Sequence, residues 1–392
     1  MNPFTVGALV SYLIVMLVTW RERGRFFAMF SGVALGIFTL AIALMQRQLF
    51  AVLHYGRELL VGATYLHFLL LVWPRLRAWP VRVLVNYPAS FFFAGTLLAW
   101  PVGIAVSMGA QYHWLLVPYG FALLGVLESL YTRQTVRDLV LDGRDAGALR
   151  RYPLGKANGG PVLQLVQITD PHIGTFMSIE RLARICERAV ARNPDLIVLT
   201  GDFLTIESNR APHALDQALA PLAAAKGKVF ACLGNHDHEA PHHVRRALAA
   251  HGICLLVDEA VEVQTPIGRV QLLGFDFHFQ QRERKMGEVL ARFPRPEGML
   301  RLVLLHDPGA FARIPPGEAD LVFAGHTHGG QVGLVSFGLP WTFVSGLTKI
   351  PDHGLWARGP DRLYVHRGTG HYGFPLRIGV PAEQSLLRIQ RV

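Results

Sequence analysis

The chain has 392 residues, a formal net charge of +10, 51% hydrophobic residues and only 17% charged ones. That apolar excess excludes an ordinary soluble protein and points to membrane segments. The basicity is local: residues 1–160 hold 14 Lys and Arg against 6 Asp and Glu, leaving 24 against 22 for residues 161–392, so no nucleic-acid partner is expected.

Residues 1–131 read as a multi-span transmembrane helical region. Phe4–Trp20 is apolar throughout, and Phe26–Met45 is long enough to cross hydrocarbon. Further spans are expected at Leu59–Trp73, at Ala89–Met108 with a kink at Pro101, and at His113–Tyr131, giving about five. The first is not a cleaved signal, because Arg21, Arg23 and Arg25 follow its apolar run and more spans come after it. The Arg-rich segments, around Arg21–Arg25, Arg75–Arg82 and Arg133–Lys156, fall on one side if there are five spans. The positive-inside rule then predicts a cytoplasmic domain beyond residue 132. His54, His67 and Glu128 lie near or in the spans and are read as polar contacts of the bundle.

Residues 132–161 are charged and then Gly-rich and read as a linker, with the soluble domain covering 162–392. Val162–Thr169, Asp195–Thr200 and Lys228–Leu233 read as strands alternating with helices at Ser178–Arg192, Pro212–Lys226 and Pro241–His251. A hairpin at Val261–Gly274, a helix at Gln281–Arg292 and the strand Leu302–Leu305 follow. Such alternation predicts a mostly parallel sheet whose ligands gather at the carboxyl ends of strands. Cys186, Cys232 and Cys254 have no metal-type spacing and read as small core residues.

Five apolar runs end in chemistry-bearing residues: Asp170-Pro171-His172, Gly201-Asp202, Gly234-Asn235-His236-Asp237, His306, and Gly325-His326-Thr327-His328. The donors Asp170, His172, Asp202, Asn235, His306, His326 and His328 are all oxygen or nitrogen, with no thiolate, which suits Mn, Fe, Zn or Mg-class ions. Seven groups exceed the needs of one tetrahedral ion and suit two divalent ions sharing a carboxylate.

This order of motifs resembles the calcineurin-like metallophosphoesterase family, over roughly residues 162–392. The resemblance implies a four-layer α/β/β/α sandwich after the transmembrane region. It implies one metal at Asp170, His172 and His328, a second at Asn235, His306 and His326, and Asp202 between them. His236 would assist the leaving oxygen, with Asp237 orienting it. Gly329-Gly330-Gln331 and the Gly370–Arg377 stretch are similar to membrane-associated bacterial members, which implies a bacterial inner-membrane protein. His371 and Arg377 are candidate phosphate contacts. The expected activity is hydrolysis of a phosphodiester, phosphomonoester or pyrophosphate by metal-activated hydroxide attack, on a phosphorylated small molecule or a lipid. The alternatives are a UDP-diacylglucosamine-type pyrophosphatase of lipid A synthesis and a non-catalytic ligand-binding membrane sensor.

Other signals read more plainly. Gly368–Gly373 matches GxGxxG, but Phe374-Pro375 follows at once, so no helix starts there to receive a pyrophosphate. His238, His242 and His243 read as a solvated helix start, and Arg282, Arg284 and Lys285 as a solvated helix face. His278 is placed either on a surface strand or at a substrate entrance.

Overall fold

The computed structural model describes residues 2–374 and 376–392, so Met1 and Pro375, the proline of the Gly370–Arg377 stretch, lie outside the described residues. The chain divides into two compact units: Met1–Leu130 with Gly373–Ile378, and Tyr131–Tyr372 with Gly379–Val392.

The first unit is helical. Among the described residues, Pro3–Arg23, Arg25–Leu44 and the continuous run Trp79–Leu98 are long and apolar enough to cross a membrane. Twenty residues of helix rise about 30 Å, the thickness of the hydrocarbon core. Two of the five expected spans fall short of that length. Gly56–Leu71 has 16 residues, because the chain leaves the helix ahead of Pro74. Leu116–Ser129 has 14, entered through a 3₁₀ turn at Tyr112–Leu115. The fourth expected span starts earlier than its apolar run suggests. It begins at Trp79-Pro80, where proline suits a first helical turn, continues through a π-turn at Arg82–Asn86, and ends before Pro101. Phe38 packs edge-on to Phe92 and Tyr65 at the centre of the bundle, while Leu13, Leu17, Phe26 and Phe30 point outward. An apolar exterior around a packed apolar interior is the arrangement expected in lipid.

The second unit contains thirteen described strands. They are β1 (Thr132–Leu141), β2 (Arg150–Arg151), β3 (Leu163–Ile168), β4 (Leu196–Leu199), β5 (Val229–Ala231), β6 (Cys254–Leu255) and β7 (Glu259–Thr265). The others are β8 (Gly268–Gly274), β9 (Leu300–Leu304), β10 (Leu321–Ala324), β11 (Gly354–Arg358), β12 (Asp361–Val365) and β13 (Ala382–Arg391). One sheet runs β1-β13-β3-β4-β5-β6 and the other β2-β11-β12-β10-β9-β8-β7. Alternation along each strand explains the layering. Leu302 and Leu304 of β9 join Leu165, Val198 and Phe230 between the sheets, whereas Val303 faces Met286, Val289 and Phe311 on the outer side. Helices Ile179–Ala191, Ala214–Leu219 and Pro241–Ala250 accompany the first sheet, and Arg282–Arg292 the second, so the unit is an α/β/β/α sandwich. Cys186 and Cys232 are buried and all three cysteines are free.

The stretch expected as a linker is built into both sheets. β1 pairs in parallel with β13 over ten residues, and β2 pairs with β11. Its charges made it look solvated, yet they suit a sheet-edge strand: Leu139 and Leu141 turn inward while Asp138 meets Arg388 at 2.6 Å. Asp142 also holds the fold together. Buried Arg362 donates to one of its oxygens at 2.6 Å, and Tyr152 donates to the other at 2.9 Å. Asp142→Ala strands a guanidinium in the interior, so thermal unfolding of the detergent-solubilised chain should reveal a loss of about 3 kcal/mol. An unchanged midpoint would show that Arg362 is satisfied by its neighbouring carbonyls alone.

Candidate metal centre

Each motif follows the carboxyl end of a strand: Asp170 and His172 follow β3, Asp202 β4, Asn235 and His236 β5, His306 β9, and His326 and His328 β10. The turns are unusual. Asp170, His172, Asp202, His326 and His328 all have left-handed φ, between 47° and 66°. Non-glycine residues rarely adopt that region, and each costs about 1–3 kcal/mol that the surroundings must offset. Close backbone approach makes the turns possible. A Cβ at Gly234 would overlap the Asp202 carboxylate, and one at Gly325 would overlap the Asp170 carboxylate and the Thr169 hydroxyl. Gly325→Ala therefore overpacks a fully buried spot, with an expected stability loss of about 1–3 kcal/mol and a reduced metal content. Calorimetry and elemental analysis of the same sample check both.

The turns bring six side chains into two groups, Asp170 with His172 and His328, and Asp202 with His306 and His326, each with donor atoms within 4.8 Å of one another. The groups adjoin. Asp202 Oδ2 lies 3.5 Å from His172 Nε2 and 3.2 Å from His306 Nε2. Asp170 Oδ1 lies 3.5 Å from His328 Nε2 and 3.9 Å from His306 Nε2. Backbone carbonyls orient two rings: His172 Nδ1 faces Leu204 O at 3.1 Å and His306 Nδ1 faces Thr200 O at 2.6 Å. Both Nε2 atoms are thereby aimed at the carboxylates.

Burial and charge oppose each other here. Burial pushes the Asp170 carboxyl up to about 6, with Asp202 adding to the rise and His306 opposing it. Burial also lowers His172 to about 3, and with help from His306 lowers His326 to about 4, so both rings are neutral. On His306 burial is outweighed by the carboxylates of Asp202 and Asp170, which push it up to about 10. Asp202 is held below the ordinary range despite its burial, chiefly by His306. Two buried carboxylates this close together thus favour positive charge beside them. Cations fit such a cluster. His172 Nε2 and Asn235 Oδ1 are buried without hydrogen-bond partners among the described residues, and oxygen and imidazole donors are those that divalent ions of this class take.

Asp237 takes a different role from the one expected. Asp237 is fully buried and accepts the backbone N–H groups of Asp202, Phe203 and Gly234 at 2.8–2.9 Å. It therefore braces the β4 and β5 turns and does not orient His236. The carboxylate on the His236 ring is Glu239, 2.7 Å from Nδ1, and His236 N donates to Asp202 Oδ1 at 2.8 Å. The one sequence signal for Glu239 is its place three residues after His236, within reach across a 3₁₀ turn. Tyr372 was also missed. Its ring stacks on His172 with centroids 4.9 Å apart and meets His236 edge-on at 4.5 Å.

His371 packs on Phe176 at 4.6 Å. Arg377 is fully buried, and its backbone N–H donates to Ser129 Oγ at 2.9 Å. Gly370 of the Gly368–Gly373 stretch serves close approach, because its N–H donates to Asp170 O and a Cβ there would overlap Pro171 O. His238 pairs with Asp276 and His278 with Asp258, so neither is a ligand of the two groups and His278 is buried. Arg282, expected in solvent, instead meets Asp307 and lies over Phe277.

Two carboxylates and four imidazoles at the strand ends of an α/β/β/α sandwich define a metal-dependent phosphoester hydrolase. The calcineurin-like phosphoesterase family model matches residues 163–330, which lie within the chain's second unit. Phosphodiesterase YaeI of Escherichia coli is 29% identical over 244 residues, which cover 61% of this chain and 86% of that protein. A metallophosphoesterase of Helicobacter pylori is 27% identical over 236 residues, 58% of this chain and 60% of its own. A transmembrane protein with metallophosphoesterase domain from Danio rerio is 28% identical over 251 residues, 56% of this chain and 52% of that one.

Proposed function

We propose that the chain hydrolyses a phosphodiester or pyrophosphate at a two-metal centre. Asp170, His172 and His328 would hold one divalent ion, Asn235, His306 and His326 the other, and Asp202 would serve both. The observation that carries this reading is the position of Asp202 Oδ2, within 3.5 Å of an imidazole from each group. Ions bound there would screen the phosphate charge and make a water acidic enough to attack phosphorus at neutral pH. The chain's own residues supply the rest. Leu204 and Thr200 carbonyls fix the rings of His172 and His306, so no reorientation is needed when substrate arrives. His236, held by Glu239, gives a proton to the departing oxygen. Tyr372 walls the same space against His172 and His236.

The name of the Escherichia coli relative favours a diester. Helices able to cross a membrane favour a lipid-linked substrate, and with it the UDP-diacylglucosamine-type pyrophosphatase as the second reading. Three spans, like five, would put the two ends of the helical region on opposite faces, and the Arg-rich segments favour a cytoplasmic catalytic unit. A reporter at the carboxyl terminus tests the sidedness. Purified chain with added Mn²⁺ should hydrolyse an aryl phosphodiester and carry close to two ions per chain. Absent turnover with two bound ions would favour the ligand-binding sensor instead.

A further inference from the structure

Directly after His328 the chain builds a lobe, 333–350, that turns apolar side chains into solvent. Phe337, Leu339, Trp341, Phe343, Leu347 and Ile350 are between 40% and 73% exposed. Elsewhere in this unit the exposed large apolar residues among those described are scattered singly, at Tyr131, Val136, Leu154, Phe279 and Val392. Scattered apolar residues are ordinary, but six exposed within one short lobe mark an interaction surface.

The lobe is firmly built. Leu334 N donates to Trp341 O at 2.9 Å and Phe343 N donates to Val332 O at 2.8 Å, closing its base. Thr342 caps the helix Phe343–Leu347 in a reciprocal pair with Ser345, and its hydroxyl meets buried Asp352, which Arg151 holds at 2.6 Å. The same Asp352 accepts Thr327 Oγ1 at its carbonyl, and a Cβ at Gly330 would overlap Thr342. The apolar face is therefore held out by the framework that carries His326 and His328.

We propose that this lobe inserts into a lipid bilayer at headgroup depth. Its chemistry selects that occupant over a protein. It mixes Trp and Phe with Leu and Ile, carries Lys349 and has no acidic residue, the combination found where a peripheral segment enters an anionic lipid surface. A membrane is also within the chain's own reach, because the same polypeptide carries three helices able to cross one. The insertion rests on the lobe's geometry and is independent of the reaction assigned to the neighbouring centre.

Depth-resolved quenching tests it on the full chain in nanodiscs of phosphatidylcholine and phosphatidylglycerol. In a Cys254→Ser background, Phe337→Cys and Leu347→Cys are labelled separately with an environment-sensitive fluorophore, and the exposed Glu297→Cys serves as control. Insertion predicts blue-shifted emission at 337 and 347, with marked quenching by lipid bearing a nitroxide near the headgroup end of its acyl chain and none at 297. Unshifted, unquenched emission at both lobe positions overturns the proposal. So does a blue shift without quenching, which would mean that a second copy of the chain or another protein covers the lobe. Equal quenching at all three positions also overturns it, since the lobe would then be no deeper than the rest of the unit. None of these outcomes depends on catalytic turnover.

Discussion

Asp202→Ala is expected to lower hydrolysis of an aryl phosphodiester by at least about 10³-fold, equivalent to about 4 kcal/mol of transition-state stabilisation. On the proposed reading its carboxylate serves both ions, so the variant loses charge from the two groups at once, whereas His328→Ala removes a ligand from one. The metal content separates loss of chemistry from loss of the centre: Asp202→Ala should fall well below two ions per chain. The same oxygens accept the His236 N–H and face His172 and His306, so the local turns also loosen. Full turnover by Asp202→Ala, with two ions retained, would leave the two-metal reading without its central element.

His236→Ala should act on the other half of the reaction. A proton donor matters in proportion to the basicity of the oxygen it protonates. An alkyl diester should slow by roughly 10²–10⁴-fold, while a nitrophenyl diester, whose leaving group departs as a stable anion, should slow far less. Glu239→Gln should reproduce a fraction of that pattern, because it removes the carboxylate 2.7 Å from His236 Nδ1 but leaves the ring in place. Equal slowing of both substrates in His236→Ala would assign the ring to phosphate binding instead.

The convergence of Asp170, His172, Asp202, His306, His326 and His328 was legible because each follows an apolar run that could only be a buried strand. Neighbouring parallel strands present their carboxyl ends together, and here β3 and β4 of one sheet and β9 and β10 of the other end at the same place, so residues far apart in sequence meet. The two-sheet sandwich followed from the family resemblance, since the strand and helix pattern alone predicted only a mostly parallel sheet. What escaped depended on contacts that local pattern does not encode. β1 carries Arg133, Arg137 and Asp138, and only its pairing with β13, some 250 residues away, makes those charges an edge decoration. Arg377 was singled out by the resemblance of the Gly370–Arg377 stretch, and no local pattern could tell that its backbone N–H is taken by Ser129, some 250 residues earlier. Asp237 and Glu239 are both acidic and both close to His236. Their roles are set by which way a 3₁₀ turn points each side chain. The short helices Gly56–Leu71 and Leu116–Ser129 were over-read because apolar composition continues past the point where the backbone leaves the helix.

The position of β13 constrains how the molecule is made. It lies between β1 and β3, and it is translated after every other strand. Until residues 382–391 emerge, β1 has no partner among the described strands and β3 has one bare edge, so the first sheet closes only after that segment has been made. The apolar helices, by contrast, are complete early and can enter lipid co-translationally. The second unit therefore assembles late, by a pairing of high contact order that folds slowly and leaves sticky edges open in the interval.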